Sequence, residues 1–336
     1  MMLDAIVKLV AAFALLIAAS VAPANADPDK IKIGIIHNSG QAPFYIGVER
    51  GYFAAEGLDA SLLAFDAAVP VAVAAASGDI DFGSAGGTGA LYNLAGQGVL
   101  KLIGGNTHEA PSFQLFGLVV ADGAYEAGLT RAQDLTGRVV AVTQTGGGYH
   151  YALALLADKY GVDLKTVRIL PLQAIPNIAS ALTGGQADAA MLNATAATPL
   201  LQRGTVKLIA WSGDETPYQA VVIFTSTRNA DTRRSVVERF LNAYRKAAHD
   251  YAAAFVGADG KRTNGPTAPE IAKIIAKYSG LTPEQVALGI AYDDPDARLD
   301  EKDVLNQIAW FRSQGMVKND FEARSVIDPR YAVPLP

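Results

Sequence analysis

The strongest constraint on this chain is an alternation of short apolar strands with helix-length segments that runs through one series and then begins again. Stretches rich in Ile, Leu and Val at 32–36, 58–65, 79–84 and 99–104 read as strands, with helical segments at 43–56, 68–77 and 87–95 between them. The second series has strands at 138–143, 167–172, 189–193 and 206–211 and helices at 149–160, 175–183 and 196–203. Each helix opens after a polar or glycine-containing turn. Helix-length crossovers bring neighbouring strands together in parallel, so each series predicts a doubly wound α/β sheet flanked by helices.

Two further apolar strands, 114–120 and 220–226, bracket the second series, so the chain enters that unit once and leaves it once. Two crossings between two packed units make a hinge. The expected organisation is a discontinuous first lobe, 27–116 plus 221–336, and a second lobe, 117–220. Beyond the return crossing, 231–255 is amphipathic, with Val236, Val237, Phe240, Leu241 and Tyr244 on one face. Thr282-Pro283-Glu284-Gln285 combines an N-cap Thr, a first-turn Pro and a capping-box Gln. These C-terminal helices are expected to pack back on the first lobe.

The N-terminal segment has Lys8 ahead of an apolar run, Leu9–Ala19, and closes on Ala24-Asn25-Ala26. That is the order of a secretory signal peptide, and the run is too short for a comfortable membrane span. Residues 1–26 are therefore expected to be removed after Ala26, and the mature chain to be exported. The sequence contains no cysteine, which excludes disulfides, a lipid-modified N-terminal Cys, thiol catalysis and Cys-based metal centres. A formal net charge of −5, with no basic cluster, argues against a nucleic-acid partner.

Ile33-Gly34-Ile35, Ala42-Pro43-Phe44-Tyr45-Ile46-Gly47 and Glu49-Arg50-Gly51-Tyr52-Phe53-Ala54-Ala55-Glu56-Gly57-Leu58 open the mature chain. Further on come Ala74-Ala75-Ala76-Ser77-Gly78-Asp79-Ile80-Asp81-Phe82-Gly83, Asp134-Leu135-Thr136-Gly137-Arg138-Val139-Val140-Ala141-Val142 and Ala181-Leu182-Thr183-Gly184-Gly185-Gln186-Ala187-Asp188-Ala189. In this order and spacing the segments resemble the nitrate/sulfonate/taurine-type substrate-binding proteins, whose opening the thiamine-precursor binders share. The resemblance implies a two-lobed periplasmic binding protein fold that clamps a ligand and delivers it to the inner-membrane permease of an ABC importer. The expectation is a monomeric periplasmic trap for a small molecule, without catalysis, cofactor or metal.

In open α/β sheets ligands bind beyond the C-terminal ends of the strands, where helix N-termini turn N–H groups outward. The strand-end loops of the first lobe offer His37, Asn38 and Gln41, then Ser84, Gly86 and Thr88, then His108; Phe44 begins the first helix. The second lobe offers Thr145, Gly147, Tyr149 and His150, then Asn193, then Trp211. The glycine clusters around Gly86 and Gly147 let a ligand approach backbone N–H groups, and neither has the spacing of a dinucleotide or P-loop fingerprint. His37, His108 and His150 are candidate donors to an anionic group; no two have i, i+4 spacing and no carboxylate accompanies them, so they do not read as a metal site. Phe44, Tyr149 and Trp211 are candidate aromatic walls, Trp211 for stacking.

No Lys or Arg falls in these loops, so an anion would rest on helix N-termini and neutral donors. The main expectation is a small organic anion, a sulfonate or an aromatic or aliphatic carboxylate. A pyrimidine or thiamine-precursor ligand is the alternative, against which stands the absence of a carboxylate beside the first-strand loop. An enzyme on the same fold would need a nucleophile with an adjacent base. Ser84 with His108 is the pair available, outside any G-x-S-x-G elbow.

Overall fold

The computed structural model describes residues 27–336; the signal segment expected at 1–26 lies outside the described residues. The strands are β1 (Asp29–Ile36), β2 (Leu58–Phe65), β3 (Phe82–Gly86), β4 (Leu100–Gly105), β5 (Thr107–Glu109), β6 (Phe116–Ala121), β7 (Val139–Val142), β8 (Arg168–Pro171), β9 (Ala189–Asn193), β10 (Val206–Trp211), β11 (Tyr218–Gln219), β12 (Val221–Ser226) and β13 (Tyr292–Asp293). The main helices are α1 (Ala42–Glu49), α2 (Ala68–Ser77), α3 (Gly89–Gly96), α4 (Gly148–Lys159), α5 (Ile175–Thr183), α6 (Ala194–Gln202), α7 (Arg234–Phe255), α8 (Ala268–Ser279), α9 (Pro283–Leu288) and α10 (Glu301–Ser313). The segment read as one helix over 43–56 breaks at Gly51, whose φ of 69° is left-handed, a conformation glycine adopts without steric cost.

Two five-stranded sheets form the lobes, in the orders β2-β1-β3-β12-β4 and β10-β6-β9-β7-β8. The β1–β2, β1–β3, β7–β8 and β7–β9 pairs are parallel, as the crossover helices require. The two crossing strands differ: β12 runs antiparallel to β3 and β4, and β6 antiparallel to β9 and β10. The reason lies in the hinge. A strand arriving from the other lobe enters its sheet at the cleft edge and must run away from it, whereas β1, β3, β7 and β9 run towards it.

At the crossing itself β5 pairs antiparallel with both β11 and β13, giving a small third sheet that the sequence reading did not contain. It gathers polar residues, and His108, Glu109, Gln219 and Asp293 are all buried there. The first lobe is closed by the C-terminal helices. Phe240 of α7 stacks on Phe82 with ring centroids 3.8 Å apart, and Phe44 lies against Phe240 and Tyr244. Fully burying an aromatic of this size stabilises by roughly 1.5–3 kcal/mol, so this cluster clamps α1 and α7 onto the sheet. The capping box read at Thr282 forms, with Thr282 Oγ1 accepting from Gln285 N and Gln285 Oε1 accepting from Thr282 N.

Candidate functional site

A cavity of about 140 Å³ lies between the lobes, bounded by the strand ends of both sheets. From the first sheet come the loop after β1 (Asn38 to Gln41), the turn after β2 (Asp66, Ala67) and Gly86 at the end of β3. From the second come Thr143 and Gln144 after β7, Gln173 after β8 and Asn193 at the end of β9; Gln114 and Phe116 enter from the outgoing crossing. The strand-end rule therefore locates the cavity.

Three helices start on this cavity without a side-chain cap. The N-cap positions of α2, α4 and α5 are Ala67, Gly147 and Ala174, none of which caps the first turn with a side chain, and Ala68, Gly148 and Ile175 line the space. The first N–H groups of a helix lack intrahelical partners and carry part of the macrodipole's positive end, so their convergence is an anion cradle. Most of the polar side chains in the lining are carboxamides: Asn38, Gln41, Gln114, Gln144, Gln173 and Asn193. Asn193 Oδ1 accepts from Ala196 N and so caps α6, which leaves its NH₂ as the group available to a ligand. No Lys or Arg lines the cavity, and its one charged side chain is that of Asp66, on the exposed rim.

Of the residues singled out from the sequence, Asn38, Gln41, Gly86, Gly147, Tyr149 and Asn193 line the cavity. The others lie elsewhere. Ser84 is buried beneath the loop after β1, where Asn106 Nδ2 donates both to Ser84 Oγ (3.1 Å) and to Gly40 O (3.2 Å). Thr88 caps α3, accepting from Leu91 N at 3.1 Å. Phe44 belongs to the core between α1 and α7. His37 faces outward, its Nε2 2.6 Å from Tyr278 O on α8. Thr145 is exposed at the tip of its loop, away from the lining. His108 sits in the hinge sheet with neither ring nitrogen hydrogen-bonded, and burial pushes its imidazole down to about 4. His150 lies behind the glycine loop, with Nδ1 accepting from Gly146 N at 3.1 Å.

Trp211 packs across Gly117 on the outer layer of the second sheet, where a Cβ on Gly117 would come within 2.8 Å of the indole. It does not line the cavity. Trp211→Ala is expected to cost roughly 2 kcal/mol of stability for a half-buried large-to-small change, read by urea denaturation, with ligand affinity unchanged.

Asp66, Gln114, Gln173 and Gly289 line the cavity and were not singled out beforehand. Asp66 and Gln173 follow β2 and β8, so the same strand-end rule applied to every strand finds them. Gly289 carries no local signal, since it is brought in by the C-terminal helices.

The lobes touch on both flanks of the cavity. On one side Gly89 N, at the start of α3, donates to Gly146 O at 3.3 Å. On the other Gly289, just past α9, fits against Thr195 at the start of α6, where an added Cβ would lie 2.7 Å from Thr195 Cγ2. Ser84 Oγ is engaged by Asn106 and His108 has no hydrogen bond, so they do not form a nucleophile–base pair. Among the described residues, no group of three or more His, Cys, Asp or Glu side chains is arranged to hold a metal ion.

A family model described as NMT1/THI5 like matches residues 38–254. No curated protein matches the chain. Among solved structures the chain is similar to the alkanesulfonate-binding protein SsuA of Xanthomonas axonopodis pv. citri bound to MOPS, with a TM-score of 0.70 and 19% identity over 90% of this chain and 99% of that one. It is similar to the periplasmic aliphatic sulphonate binding protein SsuA of Escherichia coli, with a TM-score of 0.70 and 16% identity over 92% and 94% of the two chains. The periplasmic nitrate-binding protein NrtA of Synechocystis PCC 6803 aligns at a TM-score of 0.67 and 12% identity, over 89% and 85%. These likenesses establish the two-lobed periplasmic binding protein fold.

Proposed function

The chain belongs to the NMT1/THI5-like family, and on that premise we propose that it is the periplasmic solute-binding component of an ABC importer, trapping a small monoanion between its lobes. The observation that carries this reading is the convergence of the uncapped starts of α2, α4 and α5 on one cavity walled by both lobes. A sulfonate or carboxylate head would take N–H groups from those turns and NH₂ groups from the carboxamides. Closure of the lobes would complete the shell, and the closed form would be what the permease recognises. The fold neighbours that bind sulfonates and nitrate support an anionic ligand. Among the described residues no helix is long and apolar enough to cross a membrane.

Asp66 narrows the ligand class. With no cationic side chain in the lining, a second negative charge on the ligand would meet the rim carboxylate and find no counter-ion, so monoanions are favoured over sulfate, phosphate and dicarboxylates. A thermal-shift panel of ethanesulfonate, propionate, benzoate, nitrate, sulfate and succinate tests the reading. A ligand at a hundred times its dissociation constant stabilises by about 2.7 kcal/mol, a rise of several degrees for a chain of this size. Monoanions should shift the melting temperature and dianions should not; a flat panel sinks the proposal.

One observation supports a second reading. Because β2 pairs directly with β1, Asp66 stands beside the loop after β1, and the cavity does hold a carboxylate able to accept from a ring amino group. A pyrimidine carrying such a group would use it. Asp66→Asn separates the two ligands by sign. Removing a like charge about 6 Å away strengthens monoanion binding by about threefold in water-like surroundings. Removing a charge-assisted hydrogen bond weakens pyrimidine binding by about tenfold or more.

A further inference from the structure

The loop between β7 and α4 brings Gly147 and Gly148 to the cavity, and its conformation is held from behind. Gly146 adopts φ 75°, turning its N–H away from the cavity and into the protein. That N–H donates to His150 Nδ1 at 3.1 Å, while Gly146 O accepts from Gly89 N of the first lobe at 3.3 Å. His150 is the third residue of α4, and its ring meets the first lobe's Trp310 edge-on, centroids 5.1 Å apart. A side chain at this position reaching back to an N–H before the helix is akin to one half of a capping box, with an imidazole in place of a carboxylate and the donor one residue earlier, at Gly146 rather than at the N-cap Gly147.

We propose that His150 is a positioning residue of the ligand cradle: by accepting the Gly146 N–H it fixes the loop from which Gly148 and Tyr149 present their N–H groups to the ligand, and it does so only while Nδ1 is unprotonated. The inference rests on the monoanion reading for its consequence in binding, though not for its geometry. Once Nδ1 takes a proton it becomes a donor facing a donor, and the Gly146 peptide loses its partner. Burial holds the imidazole below its ordinary range, so the neutral, accepting form prevails at neutral pH.

The titratable groups around His150 are Tyr149 and Tyr151 on its own helix and, on α10, Asp303. Asp303 accepts from Tyr151 Oη (3.3 Å) and Gln307 Nε2 (2.7 Å) rather than from His150. No charged group perturbs the His150 ring, whose shift has burial as its cause. Asp303 is itself pushed up to about 6 by burial, so it also takes up a proton on acidification and needs a control.

The sign of the pH dependence discriminates between roles. A histidine that touched the anion would bind it more tightly when protonated; a histidine that positions the loop must bind it more weakly. Ethanesulfonate serves as the probe because its own charge does not change across the range. For the wild-type chain, affinity is expected to be flat at and above neutral pH and to fall as acid protonates His150, by up to about fivefold once the ring is fully protonated, the factor that corresponds to one hydrogen bond. His150→Asn places an oxygen where Nδ1 stood, keeps the acceptor and should give a flat profile at wild-type affinity. His150→Leu should be weak at every pH.

In parallel, and without ligand, the Gly146 amide resonance of glycine-labelled protein should titrate with the His150 ring in wild type and not in His150→Asn. Affinity rising with acid, or a Gly146 amide indifferent to the His150 titration, overturns the assignment. A pH dependence that persists unchanged in His150→Asn does the same, and points to Asp303. If neither ethanesulfonate nor any other monoanion of the panel binds at any pH, the monoanion reading fails, and the Gly146 amide alone decides the role of His150.

Discussion

Gly289→Ala should weaken ethanesulfonate binding by at least fivefold while leaving the melting temperature of the ligand-free protein unchanged or slightly raised. The residue has φ −127° and ψ 48°, outside the left-handed region, so alanine meets no φ strain there. Replacing Gly by Ala also reduces the entropy of the unfolded chain. The cost arises between the lobes. A Cβ at 289 would stand 2.7 Å from Thr195 Cγ2, a contact made only when α9 of the first lobe meets α6 of the second. Thr195 is held in place, since its Oγ1 lies 3.2 Å from Asn193 Oδ1. Overpacking of this kind costs about 1–3 kcal/mol, which falls on the closed state alone and therefore on affinity.

The rescue makes the prediction specific. Thr195→Ser removes the methyl group and keeps the hydroxyl, so Gly289→Ala with Thr195→Ser should bind within about twofold of wild type, a coupling of adjacent sites readable as a double-mutant cycle. Calorimetric titration of the four proteins checks it. If Gly289→Ala binds normally, closure does not bring α9 onto α6. If the double variant stays weak, the loss came from the first lobe itself, where Ser39 Oγ lies 3.3 Å from the same Cβ position.

The second large effect concerns stability. Asp293 lies on β13 of the hinge sheet, fully buried, with neither carboxylate oxygen hydrogen-bonded. Desolvation pushes its carboxyl up to about 7, with the Thr107 hydroxyl beside it as a weaker opposing influence. A carboxyl raised in the folded state contributes its full stability below its unfolded value and loses it progressively as pH rises through the folded value. At pH 8 the ionised group therefore costs about 4 kcal/mol, counting each unit as about 1.4 kcal/mol. Asp293→Asn keeps the shape and removes the charge. Its melting temperature should exceed that of wild type by roughly ten degrees at pH 8, with most of that gain gone at pH 5.

An equal gain at both pH values would mean that packing, not ionisation, is at issue. His108, on the neighbouring β5 and pushed down to about 4, acts in the opposite sense. Its contribution is complete above its unfolded value near 6.5 and is lost as pH falls towards 4. Between about pH 4 and 6.5 the two dependences run in opposite directions and largely cancel, so the Asp293 effect is read as the difference between wild type and Asp293→Asn.

The strands at 58–65, 189–193 and 206–211 were legible to the residue because each is a bounded apolar run between turn residues, a signal that local sequence carries. Strand direction was not legible. Nothing in Phe116–Ala121 or Val221–Ser226 marks them as antiparallel; that follows from where the chain enters each sheet. The hinge strands β5, β11 and β13 are two or three residues of mostly polar character, too short for periodicity to register.

At the site, the strand-end rule found Asn38, Gln41, Gly86, Gly147, Tyr149 and Asn193. It also collected Phe44 and Trp211, because an aromatic at a strand or helix boundary reads alike whether it walls a cavity or fills a core. Asp66 and Gln173 obey the same rule and bear on ligand charge. The apposition of Gly289 and Thr195 is a product of tertiary closure and leaves no trace in either local segment.

A solute trap must hold a small monoanion stoichiometrically and leave it unchanged. Equilibrium dialysis of the mature chain against ethanesulfonate, propionate and nitrate, with mass spectrometry of the solute on both sides of the membrane, measures both at once. The predicted result is saturation at one solute per chain for at least one of the three, recovered at its original mass after the protein is unfolded. A solute recovered with altered mass would make the protein a catalyst, and no binding of any of the three would remove the anion cradle from its function.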